Sequence, residues 1–512
     1  MSINISSSSI IHPILFALFP IVFIFSNNMS FLSSSELLEP LILIIGVTTI
    51  IWLILKIIVK NPKKTSLVLS LGLIIFFFYG HFHNSLNELS GDYIRNIIFI
   101  PVFLILFSIL IVILSRIHSD LKNITKIVNA IAITVVLMSS VNIVMGLSSD
   151  PELEEFSVSD SSKILNSKNF GTPDVYYIIL DAYSGHESLK KYYDFDNSNF
   201  LNELKKRGFT TIDNSRSNYG WSYLSLGSSL NMMYHNFDPE LGSKNYNLAY
   251  DMISKNTVGD LFNGLGYETV NFNSGWGTTR NFDNYDKTIC KNSNLSDSQT
   301  LVSILDNSII QPIYSKFLVD DKRQRILCQF EEMGKITQKT DTPLFVFNHF
   351  MIPHKPFIFG PNGESVTPIS LEPGQVETSL RNYAYIDQLQ FANKKILESI
   401  DQILLNSDSP PIIIIQSDHG SEFPSSATRE NQIKEKMSNF NSYYLPYGGE
   451  QILHDEITAV NSFRVIFNYY FDGDYEILED RSYWSLFNPF ETNDKPYFED
   501  ITKLLTNSNP NN

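Results

Sequence analysis

Five long apolar runs, at residues 10–26, 38–59, 66–82, 96–115 and 127–147, leave a water-soluble fold no means of covering them all. A bilayer core about 30 Å thick is crossed by about 20 apolar residues in a helix, and each run is close to that length. The expectation is a five-span transmembrane domain over residues 1–147. A cleaved signal peptide is the alternative for the first run, but MSINISSSS lacks a basic start and no small-x-small cleavage site follows. Lys56, Lys60, Lys63 and Lys64 lie between the second and third runs, and Arg116, Lys122 and Lys126 between the fourth and fifth, whereas the opposite loops hold only Arg95. Basic loops stay cytoplasmic. An odd number of spans then puts everything after about residue 148 outside, as the extracytoplasmic part of a multi-pass membrane protein.

The two parts differ in charge. Up to Asp150 there are eight Lys or Arg against six Asp or Glu, a balance of +2, so the formal −16 of the whole chain leaves −18 for the remainder. Such a surface without basic runs lacks the counterion-release drive of nucleic-acid binding, which is excluded as a partner class. Cys290 and Cys328 are the two cysteines, both in the outer part. In an oxidising compartment they suit one disulfide, the alternative being two separate thiols.

Residues 148–173 are polar and aperiodic and read as a linker. From 174 to 505, short apolar runs (VYYIIL, GFTTI, YETVNF, LFVFNHF, PIIIII) alternate with helical patterns near 198–207, after Trp221, near 258–265, 301–313, 380–405 and 461–471. Such alternation gives an α/β fold with a mostly parallel sheet flanked by helices. Ligands of these sheets bind beyond the carboxyl ends of the strands. Two apolar runs stop there on acids: DVYYIILDAYSG at Asp181, and IIIIQSDHGSE at Asp418 and His419. Each Asp alone fits a turn cap. Together, two desolvated carboxylates repel unless a cation lies between them.

In RSNYGWSYLSLGSSLNMMYHNF, small residues and leucines at helical spacing begin at Ser222. A hydroxyl in a helix's first turn faces unpaired N–H groups that favour an anion, and a neighbouring metal activates it as a nucleophile; alternatively it only caps the helix.

Read in order, the strand Asp of YYIILDAY, the NYxxSxxSLxSxLNMxY segment, PHKPF and QSDHG resemble the membrane-anchored, sulfatase-like branch of the alkaline phosphatase superfamily, which includes lipoteichoic acid synthases and phosphoethanolamine transferases. The resemblance covers essentially the whole chain. It implies an alkaline-phosphatase-like catalytic domain behind five membrane helices, with Asp181, Ser222, Asp418 and His419 on one divalent ion, manganese, magnesium or zinc. It makes Ser222 the nucleophile and His354 the group that contacts the transferred moiety or assists the leaving oxygen. His454 and His349 are possible additions, although the context of His454 matches the family poorly and His349, within a strand, fits a packed residue better. Arg464 fits a structural tie, and Asp387 is the one acid that tempts a second metal. Ser and Asp stand where the transferases have Thr and Glu, which leaves hydrolysis beside transfer. The C/S-x-P-x-R signal of true sulfatases is missing after Ser222. The implied function is metal-dependent transfer of a phospho-headgroup, such as phosphoglycerol or phosphoethanolamine, from a membrane lipid donor through a covalent Ser to an envelope glycan or lipid acceptor. The alternatives are a phosphodiesterase, phosphatase or sulfatase-type hydrolase, and a non-catalytic membrane sensor.

Overall fold

The structure, a computed structural model, describes residues 10–28, 37–90, 96–117, 120–147, 170–237, 244–282, 284–291, 298–339, 342–369, 378–421, 428–485 and 498–506. Two compact units emerge, Met1–Glu155 with Asn292–Asp321, and Phe156–Lys291 with Lys322–Asn512. The segment Asn292–Asp321, which the sequence places inside the outer domain, thus groups with the N-terminal helices. Most of the expected linker falls outside the described residues.

The apolar runs of the first unit form α1 (His12–Asn27), α2 (Leu38–Val59), α3 (Pro62–Ser90), α4 (Asn96–Arg116) and α5 (Lys122–Leu147). Three stretches, Leu38–Val59, Pro62–Leu86 and Lys122–Met145, are long and apolar enough to cross a membrane; His12–Asn27 and Ile98–Leu114 are shorter. Large side chains such as Ile42, Ile57, Ile109 and Ile131 are exposed, an apolar surface of the kind lipid covers. Inside the unit, Asn129 Oδ1 of α5 accepts the Ile11 and His12 N–H groups at 3.2 and 3.0 Å and so caps α1, which has no side-chain cap of its own.

The second unit begins with β1 (Val175–Leu180), α6 (His186–Tyr193), α7 (Ser198–Lys206), β2 (Thr210–Thr211), α8 (Ser222–Asn231), α9 (Lys244–Ser254), α10 (Thr257–Gly264), β3 (Glu268–Phe272) and β4 (Lys287–Ile289). Next comes α11 (Gln299–Asp306), which belongs to the first unit, and α12 (Gln311–Met333), which starts there and ends in the second. The chain continues through β5 (Leu344–Phe350), β6 (Phe357–Phe359), β7 (Ser365–Ile369), α13 (Thr378–Asn406), β8 (Ile412–Gln416), α14 (Arg429–Met437), β9 (Asn441–Tyr444) and α15 (Ala459–Tyr470). It closes with β10 (Tyr483–Trp484), β11 (Glu499–Asp500) and α16 (Thr502–Thr506).

Seven strands form one sheet in the order β2-β9-β8-β1-β5-β3-β4. The five from β8 to β4 are parallel, and β9 and β2 pair antiparallel along one edge, so the sheet is mixed. Parallel strands covered on both faces read as continuous apolar runs, and every residue of β1, β5 and β8 is buried. Side chains alternate between faces. Phe345 of β5 stacks on Phe262 of α10 at 4.3 Å and Tyr177 of β1 meets Phe463 of α15 edge-on at 5.0 Å, whereas Phe350 stacks on Phe330 of α12 at 4.2 Å on the opposite face. Register then places the motifs. Ile179 of β1 lies opposite Gln416 of β8 and His349 of β5, so Asp181 and Asp418, each two residues further on, leave the sheet side by side.

Cys290 and Cys328 are joined with a sequence separation of 38, and both lie in the second unit, at the two ends of the segment that departs for the first. Closing a loop of this length restricts the unfolded chain by about 4 kcal/mol in the chain-entropy account. The paired substitution Cys290→Ser with Cys328→Ser should therefore lower stability by about that amount, measured by denaturant unfolding of the intact chain against the parent.

Candidate active site

Four groups converge beyond the carboxyl ends of β1, β5 and β8. Asp181 follows β1 directly, and Ala182 after it takes a left-handed φ of 61° that turns the chain sharply. That strained conformation, worth on the order of 1 kcal/mol for a residue with a Cβ, is held from two sides. The Ala182 N–H donates to Asp418 Oδ1 at 3.1 Å, and the Tyr385 hydroxyl of α13 donates to the Ala182 carbonyl at 2.8 Å. Asp418 Oδ1 also accepts the His419 N–H at 3.0 Å. One carboxylate oxygen of Asp418 is thus consumed by backbone, and the other, Oδ2, has no hydrogen-bond partner.

Gly420 fixes the way out of the DHG turn. A Cβ there would lie 2.3 Å from the Glu435 carbonyl oxygen and 2.4 Å from that of Ser438. The His419 ring donates from Nδ1 to the Gly420 carbonyl at 2.7 Å. A carbonyl only accepts, so Nδ1 carries the proton and Nε2 of the neutral ring presents its lone pair. That Nε2 lies 3.6 Å from Asp418 Oδ2, 4.0 Å from Asp181 Oδ1 and 3.3 Å from Ser222 Oγ.

Ser222 is the first residue of α8, and the N-cap position belongs to Trp221, which makes no side-chain cap. Capping, the alternative reading of the sequence, is therefore not what this hydroxyl does; it donates to His419 Nε2 at a helix start whose dipole favours negative charge. Behind α8, the His235 ring donates from Nε2 to the Leu224 carbonyl at 2.7 Å and sits against the Tyr219 and Phe237 rings. Burial lowers its pKa to about 4.

His349 joins the group. It is fully buried in β5, its Nδ1 lies 3.0 Å from Thr279 Oγ1, and its Nε2 stands 3.4 Å from Asp181 Oδ2 without a hydrogen-bond partner. The sequence favoured a packed residue there; the strand instead aims the ring at Asp181. Asp181, His349 and Asp418 offer ligand atoms all within 4.8 Å of one another. Burial alone pushes the Asp181 carboxyl up, but the neighbouring His354, His349 and His419 imidazoles more than offset it and hold it below the usual carboxylate range.

His354 stands beside this cluster. Its N–H donates to the Asp181 carbonyl at 3.0 Å, its Nδ1 to the Lys355 carbonyl at 2.5 Å, and Gln388 Nε2 of α13 holds its own carbonyl at 2.9 Å. His454 is not brought in. It pairs with Asp480 at 2.6 Å and forms no hydrogen bond or ion pair with the cluster among the described residues. Asp480 reaches the start of α15 through Thr458, whose N–H and hydroxyl both donate to its Oδ1 at 2.7 Å, which explains the position. Arg464 donates to the Met232 and Glu476 carbonyls and ties α15 to its surroundings. Asp387 is outside the cluster as well. Tyr385 and Thr279, which position Ala182 and His349, have no signature in the sequence, since any polar residue in a helix or turn reads the same.

A family model for sulfatases matches residues 173–463, more than half of the chain. The chain belongs to the sulfatase family. The expectation of an enzyme within the alkaline phosphatase superfamily stands with that assignment. Among solved structures, the C-terminal periplasmic domain of EcEptC from Escherichia coli is similar with 14% identity and a TM-score of 0.42, covering 66% of this chain and 94% of that one. Lipooligosaccharide phosphoethanolamine transferase A from Neisseria meningitidis gives 13% identity and a TM-score of 0.40 over 88% and 94%. A protein in the alkaline phosphatase superfamily from Vibrio parahaemolyticus gives 11% and 0.37 over 59% and 68%. A search of curated proteins finds no match.

Two outcomes test this geometry. Gly420→Ala should cost on the order of 3 kcal/mol, because carbonyl oxygens rather than flexible side chains block the new methyl, whereas Gly264→Ala, with nothing within 4 Å, should leave stability unchanged or slightly raised; denaturant midpoints compare the two. His235 stays neutral in the fold down to about pH 4 but is protonated near 6.5 when unfolded. The unfolded state therefore binds the extra proton first, and stability present above pH 6.5 should fall toward pH 4 by on the order of 3 kcal/mol. His235→Gln should flatten that part of the profile.

Proposed function

We propose that the protein transfers a phospho-headgroup from a membrane lipid to an acceptor alcohol of the cell envelope, through a covalent intermediate on Ser222. The observation that carries this reading is the convergence of an uncapped helix-start hydroxyl with buried, unpartnered Asp181 Oδ1, Asp418 Oδ2 and His349 Nε2. Leaving polar atoms buried and unsatisfied costs about 1–3 kcal/mol each, and two carboxylates among them cost more. A cation relieves all three at once, so the residues fit one divalent ion. Asp181, Asp418, His419 and Ser222 would hold it, with His349 added. A second imidazole in the set moves the preference from magnesium toward zinc or manganese. When bound, such an ion supplies the positive charge that ionises the serine hydroxyl and neutralises the phosphoryl oxygens.

The chain's own groups do the rest. Ser222 Oγ, its proton lost to solvent, attacks phosphorus; the Oγ–P bond forms as the bond from phosphorus to the lipid's glycerol oxygen breaks. The first amides of α8 face the equatorial oxygens. His354 keeps Nδ1 on the Lys355 carbonyl, so Nε2 is the nitrogen that gives a proton to the departing alkoxide. The acceptor hydroxyl then returns that proton to His354 as it attacks phosphorus and releases Ser222. On the reading of α1–α5 as five crossings with the basic loops cytoplasmic, the second unit lies on the outer side of the membrane. Despite the family's name, the residues after Ser222 lack the modification signal of sulfatases.

Mass spectrometry of the full chain after incubation with membrane lipids should find a phospho-adduct on Ser222, and its added mass names the headgroup. Ser222→Ala should abolish the adduct and lower turnover by at least about 10³-fold. Chelation of divalent ions and Asp418→Ala should each abolish labelling. Labelling of Asp418→Ala at the parent's rate would refute the metal assignment.

A further inference from the structure

An apolar cavity of about 460 Å³ lies wholly within the first unit, walled by α2, α3, α4 and the segment Leu301–Ile310. Its lining includes Val47 and Leu55 on α2, Leu69 and Leu73 on α3, and Leu301 and Leu305 on α11. We infer that it holds one acyl chain of a membrane phospholipid. This rests on reading α2 and α3 as membrane spans and goes beyond the proposed reaction, since it concerns the lipid's tail whichever headgroup reacts.

Chemistry, size and depth each point to hydrocarbon. The lining carries no titratable side chain and a single hydroxyl, Thr48, whereas an ordered water needs two to four polar partners. On α3 the cavity runs from Val68 to Phe77, roughly 14 Å at 1.5 Å per residue. A helix about 10 Å across fills about 1100 Å³ over that length, more than twice the cavity. A single file of carbons roughly 4–5 Å across needs on the order of 200–300 Å³. If Lys63 marks the cytoplasmic end, Val68 lies about 8 Å and Phe77 about 21 Å into a core about 30 Å thick. The cavity therefore reaches through the depth that the tails occupy.

The segment from the outer part of the sequence is built into this wall. Gly80 N–H of α3 donates to the Asn307 carbonyl at 2.8 Å, and the Phe76 carbonyl accepts the Ile309 N–H at 3.0 Å. In an uninterrupted α-helix these two groups serve each other. Glycine suits the approach, since a Cβ at residue 80 would lie 3.0 Å from the Asn307 Cα and would push that segment back by a few tenths of an ångström. Ile304 joins Ala17, Ile21, Ile44, Leu69, Leu73 and Phe77 in one buried cluster. On α12, Ile313 and Phe317, one turn apart, are 65% and 67% exposed, apolar side chains bare on a segment that belongs with membrane helices.

The test uses the full chain in lipid nanodiscs containing phosphatidylethanolamine or phosphatidylglycerol, each with a diazirine midway along one acyl chain. Photolysis and peptide mapping should give adducts on residues 301–310 and 68–77, besides those on the lipid-facing Ile131, Leu137 and Met138 of α5. Val47→Trp and Leu305→Trp, each filling the cavity from a different wall, should lose the adducts on 301–310 and keep those on α5. Adducts on α5 without adducts on 301–310, or unchanged adducts in both variants, would overturn the inference. Absence of adducts from α5 as well would overturn the membrane reading and this inference with it, leaving the Ser222 experiment intact.

Discussion

Two carboxylates, Asp181 and Asp418, leave neighbouring parallel strands at the same level, and both are buried. Nothing in the fold spreads them apart. The register of β1 with β8 makes them adjacent, and the buried isoleucines and aromatics of those strands make the register rigid, because a shift of one residue would turn every side chain to the wrong face. The charge cost is met locally and in part: backbone N–H groups take one oxygen of Asp418, and imidazoles surround Asp181. What remains uncompensated is one bare atom on each acid and one on His349. The sheet thereby holds these bare atoms at fixed separations, so the ion proposed for them would meet a site already formed.

The turns bear the strain of that arrangement. Ala182 in the left-handed region and Gly420 against three carbonyl oxygens are both positions where the chain must reverse within one residue of a site group. Each is locked by elements distant in sequence: α13 through Tyr385, and α14 through the carbonyls of Glu435 and Lys436. α13 and α14 thus fix these two turns from outside the site, whereas α8 brings Ser222 to it.

Much of this was legible in the chain. β1, β5 and β8 announce themselves as apolar runs ending in polar site residues, and α8 and α15 show helical spacing. Other elements are silent for identifiable reasons. β9, NSYY, is a four-residue strand at the antiparallel side of the sheet whose polar residues pair with β8 and β2, so it lacks the apolar run that marks a buried strand. α12 spreads its apolar residues around the helix because its first turns and its last turns belong to different units; no single stripe forms. His349 is ambiguous in the sequence because a packed strand residue and one that faces a site share the same pattern, and only Asp181 across the gap shows where its ring points. His454 has the spacing of a site residue after the DHG turn but the wrong context, and Asp480 pairs with it instead.

The seam at Gly80 joins residues more than two hundred positions apart. As the chain is synthesised, α3 is complete long before Asn307 and Ile309 exist. Until then the backbone groups and the apolar flank that this segment covers must be served by lipid or by the helix itself. The first unit therefore cannot reach its finished form until four of the seven strands of the sheet, β1 to β4, have been made, whereas β5, β8 and β9 are still to come.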